Sequence, residues 1–421
     1  MNAKVRNAVI IATAVIMILA LLLLIVSMSG IPLSNLKYVF QSKPVMPERD
    51  LGEKKDTSER EAIVMTTGYD SLDGYLQDAY DTIDEYINLN ESEQFYVSCS
   101  HDDFIRVYRA YLNDHPEIFW LNVDNAGYRY RDYGDSVEVE CIFAFDGDNL
   151  SEMKQELSDK VEKIMSDAPA QASDYELELY FNDYLTKAVT YDKEQLSPMR
   201  GNAYGALMYG RVVCAGYSSA FQLLCNRAGI ECESVFGNIT KKDGEDNNVE
   251  ENSLHQWNCV KIEGDWYYTD VTWNDISDKN SSHAYFNITS EEIKRTRSIN
   301  PLYEDDPELE DYYWNSAVHD CSSDEYNYYK KTGTEITDPG DDSEIIAVLL
   351  AATEKKQTNV DFRMSDGLDY EKVFNSIAKD YAYRWIEGVN YYNGGNPSLN
   401  PATELYYYKM THCIVFKLEY R

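Results

Sequence analysis

Positive charge is what this chain has least of for its size. Its 421 residues include 38 Lys and Arg against 73 Asp and Glu, a formal net charge of -35. Nucleic-acid binders need a basic footprint, so composition argues against that partner class. It argues equally against docking on an anionic membrane surface. Histidine is sparse, at six, and the eight cysteines include no C-x-x-C pair. A zinc ribbon is therefore not indicated. Ligand spacing for a catalytic metal and an EF-hand loop are also missing, so no metal or cofactor is expected. Cys214 and Cys225 sit about 16 Å apart by helical rise and cannot be bridged. Cys225 and Cys232 bracket a helix end and could approach each other, but they read as packing residues. Long apolar runs are confined to one place.

That place is Ala8–Val26, interrupted only by Thr13 and preceded by Lys4 and Arg6. It is just long enough to cross a bilayer. The flanking charges put the N-terminus inside and all later residues outside. The expectation is a retained single-pass anchor over residues 1–29, with a cleaved signal peptide as the competing reading. Residues 30–62, with Pro32, Pro44, Pro47 and a charged run, read as a stalk. Residues 63–170 alternate helical and strand periods. Helices are expected over Ser71–Leu89, Asp102–Leu112 and Leu150–Met165, with strands between them. Gly333–Asp342 reads as a linker, and 343–421 as a small α+β unit. The abundant tyrosines, 36 in all, read mainly as core and its margins.

The chemistry is concentrated between Arg211 and Asn274. Cys214 opens a helix expected over Ala215–Ala228 and closed by Gly229. A helix start favours an anion, so a thiolate is supported there and the Cys214 amide can steady an oxyanion. His255 opens a strand that turns at Glu263-Gly264 and returns over Trp266–Thr272. A two-residue loop pairs Ile262 with Asp265 and leaves Asp270 diagonal to His255 on one face. Cys214, His255 and Asp270 then have the types and spacing of nucleophile, base and orienting carboxylate. Tyr217, Trp257 and Trp273 adjoin them in sequence and are candidates to desolvate the cleft. The polar insertion Lys241–Asn252 reads as a loop over the cleft edge.

V-C-A-G-Y-S-S-A-F from Val213, H-Q-W-N from His255 and W-Y-Y-T-D-V-T-W from Trp266 together resemble the transglutaminase-like superfamily, in its bacterial branch. Tyr204-Gly-Ala-Leu, Asp183-Tyr-Leu…Tyr191-Asp192 and His283-Ala-Tyr-Phe-Asn-Ile extend the resemblance, which is strong over roughly 180–290. Gln256 departs from it, standing where alanine is more usual. The resemblance implies an α+β, papain-like catalytic domain over 171–332, its cysteine helix packed on an antiparallel sheet that carries His255 and Asp270. It implies cysteine-dependent acyl transfer on a protein or peptide substrate, cell-wall peptide included, through a thioester resolved by water or by an amine. Tyr204 is nominated as the oxyanion partner. The alternative is a non-catalytic binding module that kept the fold.

Overall fold

The computed structural model describes residues 17, 41–90, 92–122, 127–145, 147–243, 253–276, 280–299, 318–395, 397–400 and 404–421. The expected anchor, Ala8–Val26, lies outside the described residues apart from Met17. Among the described residues no helix is long and apolar enough to cross a membrane.

Helices and a small sheet make up the described part of the N-terminal region. Helix α1 (Gly74–Leu89) buries Leu76, Ala79, Tyr80, Ile83 and Ile87, the 3- and 4-residue spacing of one face. After strand β1 (Gln94–Val97) comes α2 (His101–Asp114), whose cap Ser100 accepts from the Asp103 amide. Strands β2 (Tyr128–Asp132) and β3 (Val137–Cys141) complete a sheet in the order β1-β3-β2. Between α2 and β2 the described residues form a bridge from Leu121 to Phe143. Helix α3 (Gly147–Asp167) follows. The described part of the expected stalk does not stand free. Lys55–Asp56 pair with Gln171–Ala172, and Arg60 binds Asp174 at 2.6 Å.

Helix α4 (Asp174–Ala188) starts at a capping box of Ser173 and Glu176. Two short parallel strands, β4 (Thr190–Tyr191) and β5 (Arg211–Val212), lead to α5 (Cys214–Arg227). The sheet behind it is antiparallel, ordered β8-β7-β6-β9: β6 (Cys232–Ile239), β7 (Leu254–Ile262), β8 (Asp265–Thr269) and β9 (Arg297–Ile299). Glu263 and Gly264 both have positive φ, 50° and 97°, as a tight two-residue hairpin turn requires. That turn pairs Ile262 with Asp265, the expected register. The returning strand ends at Thr269, not Thr272, because the Asp270 carboxylate caps a single helical turn, Val271–Asn274.

The C-terminal sheet is ordered β10-β11-β13-β12: β10 (Glu335–Ile336), β11 (Asn359–Met364), β12 (Glu404–Tyr408) and β13 (Cys413–Lys417). It carries α6 (Ser343–Glu354), α7 (Tyr370–Ser376) and α8 (Ala382–Tyr392). The stretch read as a linker therefore contains a strand with Ile336 buried. Helices α7 and α8 run on as one continuous helical stretch through a π-helical segment at Ile377–Tyr381. Tyr408, Cys413 and Val415 share a core with Val235, Trp257, Cys259 and Tyr268, so this sheet packs on the site's own sheet.

His283 fastens the two units. Its Nε2 lies 2.9 Å from Asp183 of α4 and its Nδ1 3.2 Å from Asp361 of β11, with its ring stacked on Tyr328. Burial opposes the imidazolium, but the charges of Asp361 and Asp183 outweigh it and push the ring up to about 10 from 6.5. A group raised on folding stabilises fully below its unfolded value, and that contribution is lost as pH rises through the folded one. Unfolding midpoints are expected to fall from pH 7 to 10. His283→Gln should flatten that dependence and, by breaking a buried ion pair, cost roughly 3–5 kcal/mol at pH 7 by urea unfolding.

Candidate active site

Helix α5 and strand β7 are docked through polar groups. Gln256 donates to Ser234 (3.0 Å) and Ser218 (3.2 Å), Ser218 donates to the Trp257 carbonyl (3.0 Å), and Asn258 donates to the Ser218 carbonyl (3.1 Å). Gln222 accepts from Ser234 and donates to the Asn113 carbonyl of α2. A buried network of this kind fixes one arrangement, because sliding would strand its members unpaired. The glutamine that departs from the family pattern is thus a structural tie.

Cys214 is the first residue of α5 and half-buried. The cap, Val213, has no side-chain acceptor and its carbonyl takes the Gly216 amide, which leaves the Cys214 amide to a ligand. His255 and Asp270 are buried, with Nε2 and Oδ2 2.7 Å apart. Nδ1, the other ring nitrogen, has no aligned hydrogen bond. Cys214 is near enough to favour the imidazolium, and catalytic contacts of this kind tighten when substrate binds. Burial opposes the ring's charge, but Asp270 and then Cys214 outweigh it and push His255 up to about 9. Burial likewise opposes the Asp270 carboxylate, and the charges of His255 and Arg297 hold it below the usual range.

The structure brings together Cys214, His255, Asp270, Trp257 and Trp273. The two indoles flank the His255 ring at 5.9 and 6.0 Å between centroids. Tyr217 is buried in α5 and donates to Asp275 at 2.5 Å, so it anchors the helical turn after Asp270. Tyr204 is a correction. Its ring packs on Phe119 and its hydroxyl donates to Glu156 of α3, so it braces the N-terminal region and is no oxyanion donor.

Two residues escaped the sequence. Tyr191, on β4 beside the strand leading into Cys214, has a phenol whose acidity is suppressed by burial and then by the charges of Cys214 and Asp270. Its signal was present in the Tyr191-Asp192 pair, read only as part of a pattern. Arg297 is buried on β9 and paired with Asp270. Nothing in its short segment, Arg295-Thr-Arg-Ser, marks it as internal. The polar insertion also differs from expectation at its described edge. Asp243 is buried and accepts from Tyr285 and from the Met410 and Thr411 amides; residues 244–252 lie outside the described residues.

Residues 161–271 match the model of the transglutaminase-like superfamily, a span that includes all three candidate catalytic residues. The chain carries a transglutaminase-like domain. Among solved structures, a TGase is 13% identical over 38% of this chain and 48% of its own, with a TM-score of 0.26. A candidate cysteine protease from Cytophaga hutchinsonii is 14% identical over 34% and 55%, at 0.23. A candidate protease from Parabacteroides distasonis is 10% identical over 34% and 35%, at 0.21. The chain spans about half the length of the first two solved structures it matches. A comparison with curated proteins returns no match. The transglutaminase-like match supports a cysteine enzyme in the broad sense.

Within this domain Gly237 leaves no room for a side chain. A Cβ there would lie 2.4 Å from the Trp257 ring and 2.1 Å from the Ser298 carbonyl. Gly237→Ala is expected to force β9 from β6 and tilt Trp257, costing about 1–3 kcal/mol or more. Equilibrium unfolding and a shifted tryptophan emission maximum would record it.

Proposed function

We propose that this protein is a cysteine acyl-transfer enzyme acting on peptide or glutamine carboxamide groups. The observation that carries the reading is the buried 2.7 Å contact between His255 and Asp270, set beside a thiol at a helix start. In the reaction, Cys214 attacks as the thiolate partner of the protonated His255, and the sulfur forms a bond to the carbonyl carbon. The oxyanion that develops is met by the Cys214 amide and the Tyr191 hydroxyl. The C–N bond then breaks, His255 gives its proton to the departing nitrogen, and a thioester remains on Cys214. Water or a second amine attacks the thioester, His255 takes the attacker's proton, and the C–S bond breaks to restore the thiol. Water yields an acid, as in a peptidase or deamidase. An amine yields a new amide, as in a transglutaminase. How well the closed cleft excludes water decides between them.

The same proposal puts the domain outside the cell, held by the apolar run Ala8–Val26 with Lys4 and Arg6 on the inner side. Surface proteins and wall peptides are then the substrates within reach. Protease shaving of intact cells would release the domain if this is right and leave it untouched if it lies inside.

Incubation with a glutamine peptide and a labelled primary amine tests the chemistry. Release of ammonia is expected, abolished by Cys214→Ser, and incorporation of label separates amine transfer from hydrolysis. Absence of ammonia, of amine incorporation and of peptide cleavage would favour the non-catalytic module. Tyr191→Phe is expected to lower kcat about 10–100-fold with KM little changed, since its hydroxyl acts on the transition state.

A further inference from the structure

Arg297 lies on β9, separated from the His255 strand β7 by β6. Its guanidinium carbon lies 4.0 Å from the Trp273 ring centroid, 4.5 Å from that of Tyr285 and 5.4 Å from that of Trp257. One terminal nitrogen binds Asp270 and the other donates to Thr296 at 2.9 Å. The remaining nitrogen, Nε, has no hydrogen-bond partner among the described residues. The residue is 1% exposed, so the cation is held by aromatic faces and a carboxylate. A buried guanidinium needs a counter-charge, and the one it has is the carboxylate that already serves His255. Packing alone would be met as well by an apolar side chain of similar length.

We infer that Arg297 is a positioning residue of the active site, the fourth member of a charge set with Asp270, His255 and Cys214. The inference rests on the acyl-transfer reading above. When the Cys214 thiol ionises beside the protonated His255, the set holds a thiolate, an imidazolium, a carboxylate and a guanidinium, and it is electrically neutral. Without Arg297 the same ionisation leaves one uncompensated negative charge in a site walled by Trp257 and Trp273. Neutrality makes the thiolate–imidazolium state accessible in a dry site, where an unbalanced charge is expensive. The guanidinium also draws on the carboxylate from the side opposite the imidazole. His255 then holds its proton less tightly than Asp270 alone would make it, which favours passing that proton to a leaving amine.

The other groups facing the set belong to different elements. The Tyr191 hydroxyl on β4 lies near Cys214 and Asp270, and it is neutral at working pH. Tyr285 faces the guanidinium and donates its hydroxyl to Asp243, a carboxylate that also binds the Met410 and Thr411 amides. Asp243 is thus a second negative charge beyond the ring of Tyr285, which keeps it from direct contact with Arg297. The direct partner of the guanidinium is Asp270.

The test is the pH dependence of iodoacetamide alkylation of Cys214, measured in the folded protein. Arg297→Met removes the charge and keeps most of the length. Removing a cation makes the thiolate harder to form, so the midpoint of the alkylation curve is expected to rise by about one pH unit or more. Below the midpoint, that is roughly a tenfold slower reaction. Arg297→Lys keeps the charge and is expected to stay within about 0.3 unit of the parent, whatever it loses in hydrogen-bond geometry. A folded R297M with the parent midpoint overturns the inference and leaves the acyl-transfer reading intact. If R297M does not fold, R297K decides: a parent-like midpoint supports the charge role, and a rise of a full unit contradicts it. A parent protein alkylated only near pH 8.5, unaffected by His255→Ala, would remove the acyl-transfer reading and this inference with it.

Discussion

The carboxylate of Asp270 is where the structure converges. It accepts from the imidazole of β7, from the guanidinium of β9 and from the Trp273 amide of its own helical turn. Three elements therefore depend on one fully buried group. An isolated carboxylate in such a place would protonate. Here the two neighbouring cations keep it ionised, and its charge in turn keeps the imidazole protonated. The price of this arrangement is that no member can be altered alone without leaving another charge unbalanced.

The rest of the molecule holds those elements in place. On one side α5 is tied to β6 and β7 by Ser218, Gln222, Ser234, Gln256 and Asn258, which prevents the thiol from sliding along the strand. On the other, the C-terminal sheet packs Tyr408, Cys413 and Val415 against the sheet that bears His255. His283 adds an ionic fastening between α4 and β11. The C-terminal unit thus contributes to the wall of the site's own sheet, and Asp243 reaches it through the Met410 and Thr411 amides.

Much of the core was legible because its signals are local. The Glu263-Gly264 turn fixed the hairpin register, and the register set Asp270 near His255. The spacing of Leu76, Ile83 and Ile87 announced α1. What failed was non-local. Thr272 has strand propensity, yet a side-chain cap at Asp270 turned the chain helical three residues early. Tyr204 was nominated as part of the resemblance, but Phe119 and Glu156, both far earlier in the chain, claim it. Arg297 was invisible because its burial is decided by three aromatic rings from three other segments. Glu335–Ile336 read as a linker because a two-residue strand has no period to detect.

The central claim is that Asp270 and the Cys214 thiolate together keep His255 charged in the resting protein. Nitrogen NMR of histidine-labelled protein measures this directly, with His255 assigned by difference against His255→Gln among the six histidines. The account predicts a ring that stays doubly protonated through neutral pH and titrates at about 9. A His255 ring that loses its proton near the ordinary 6.5 in the native protein would contradict it.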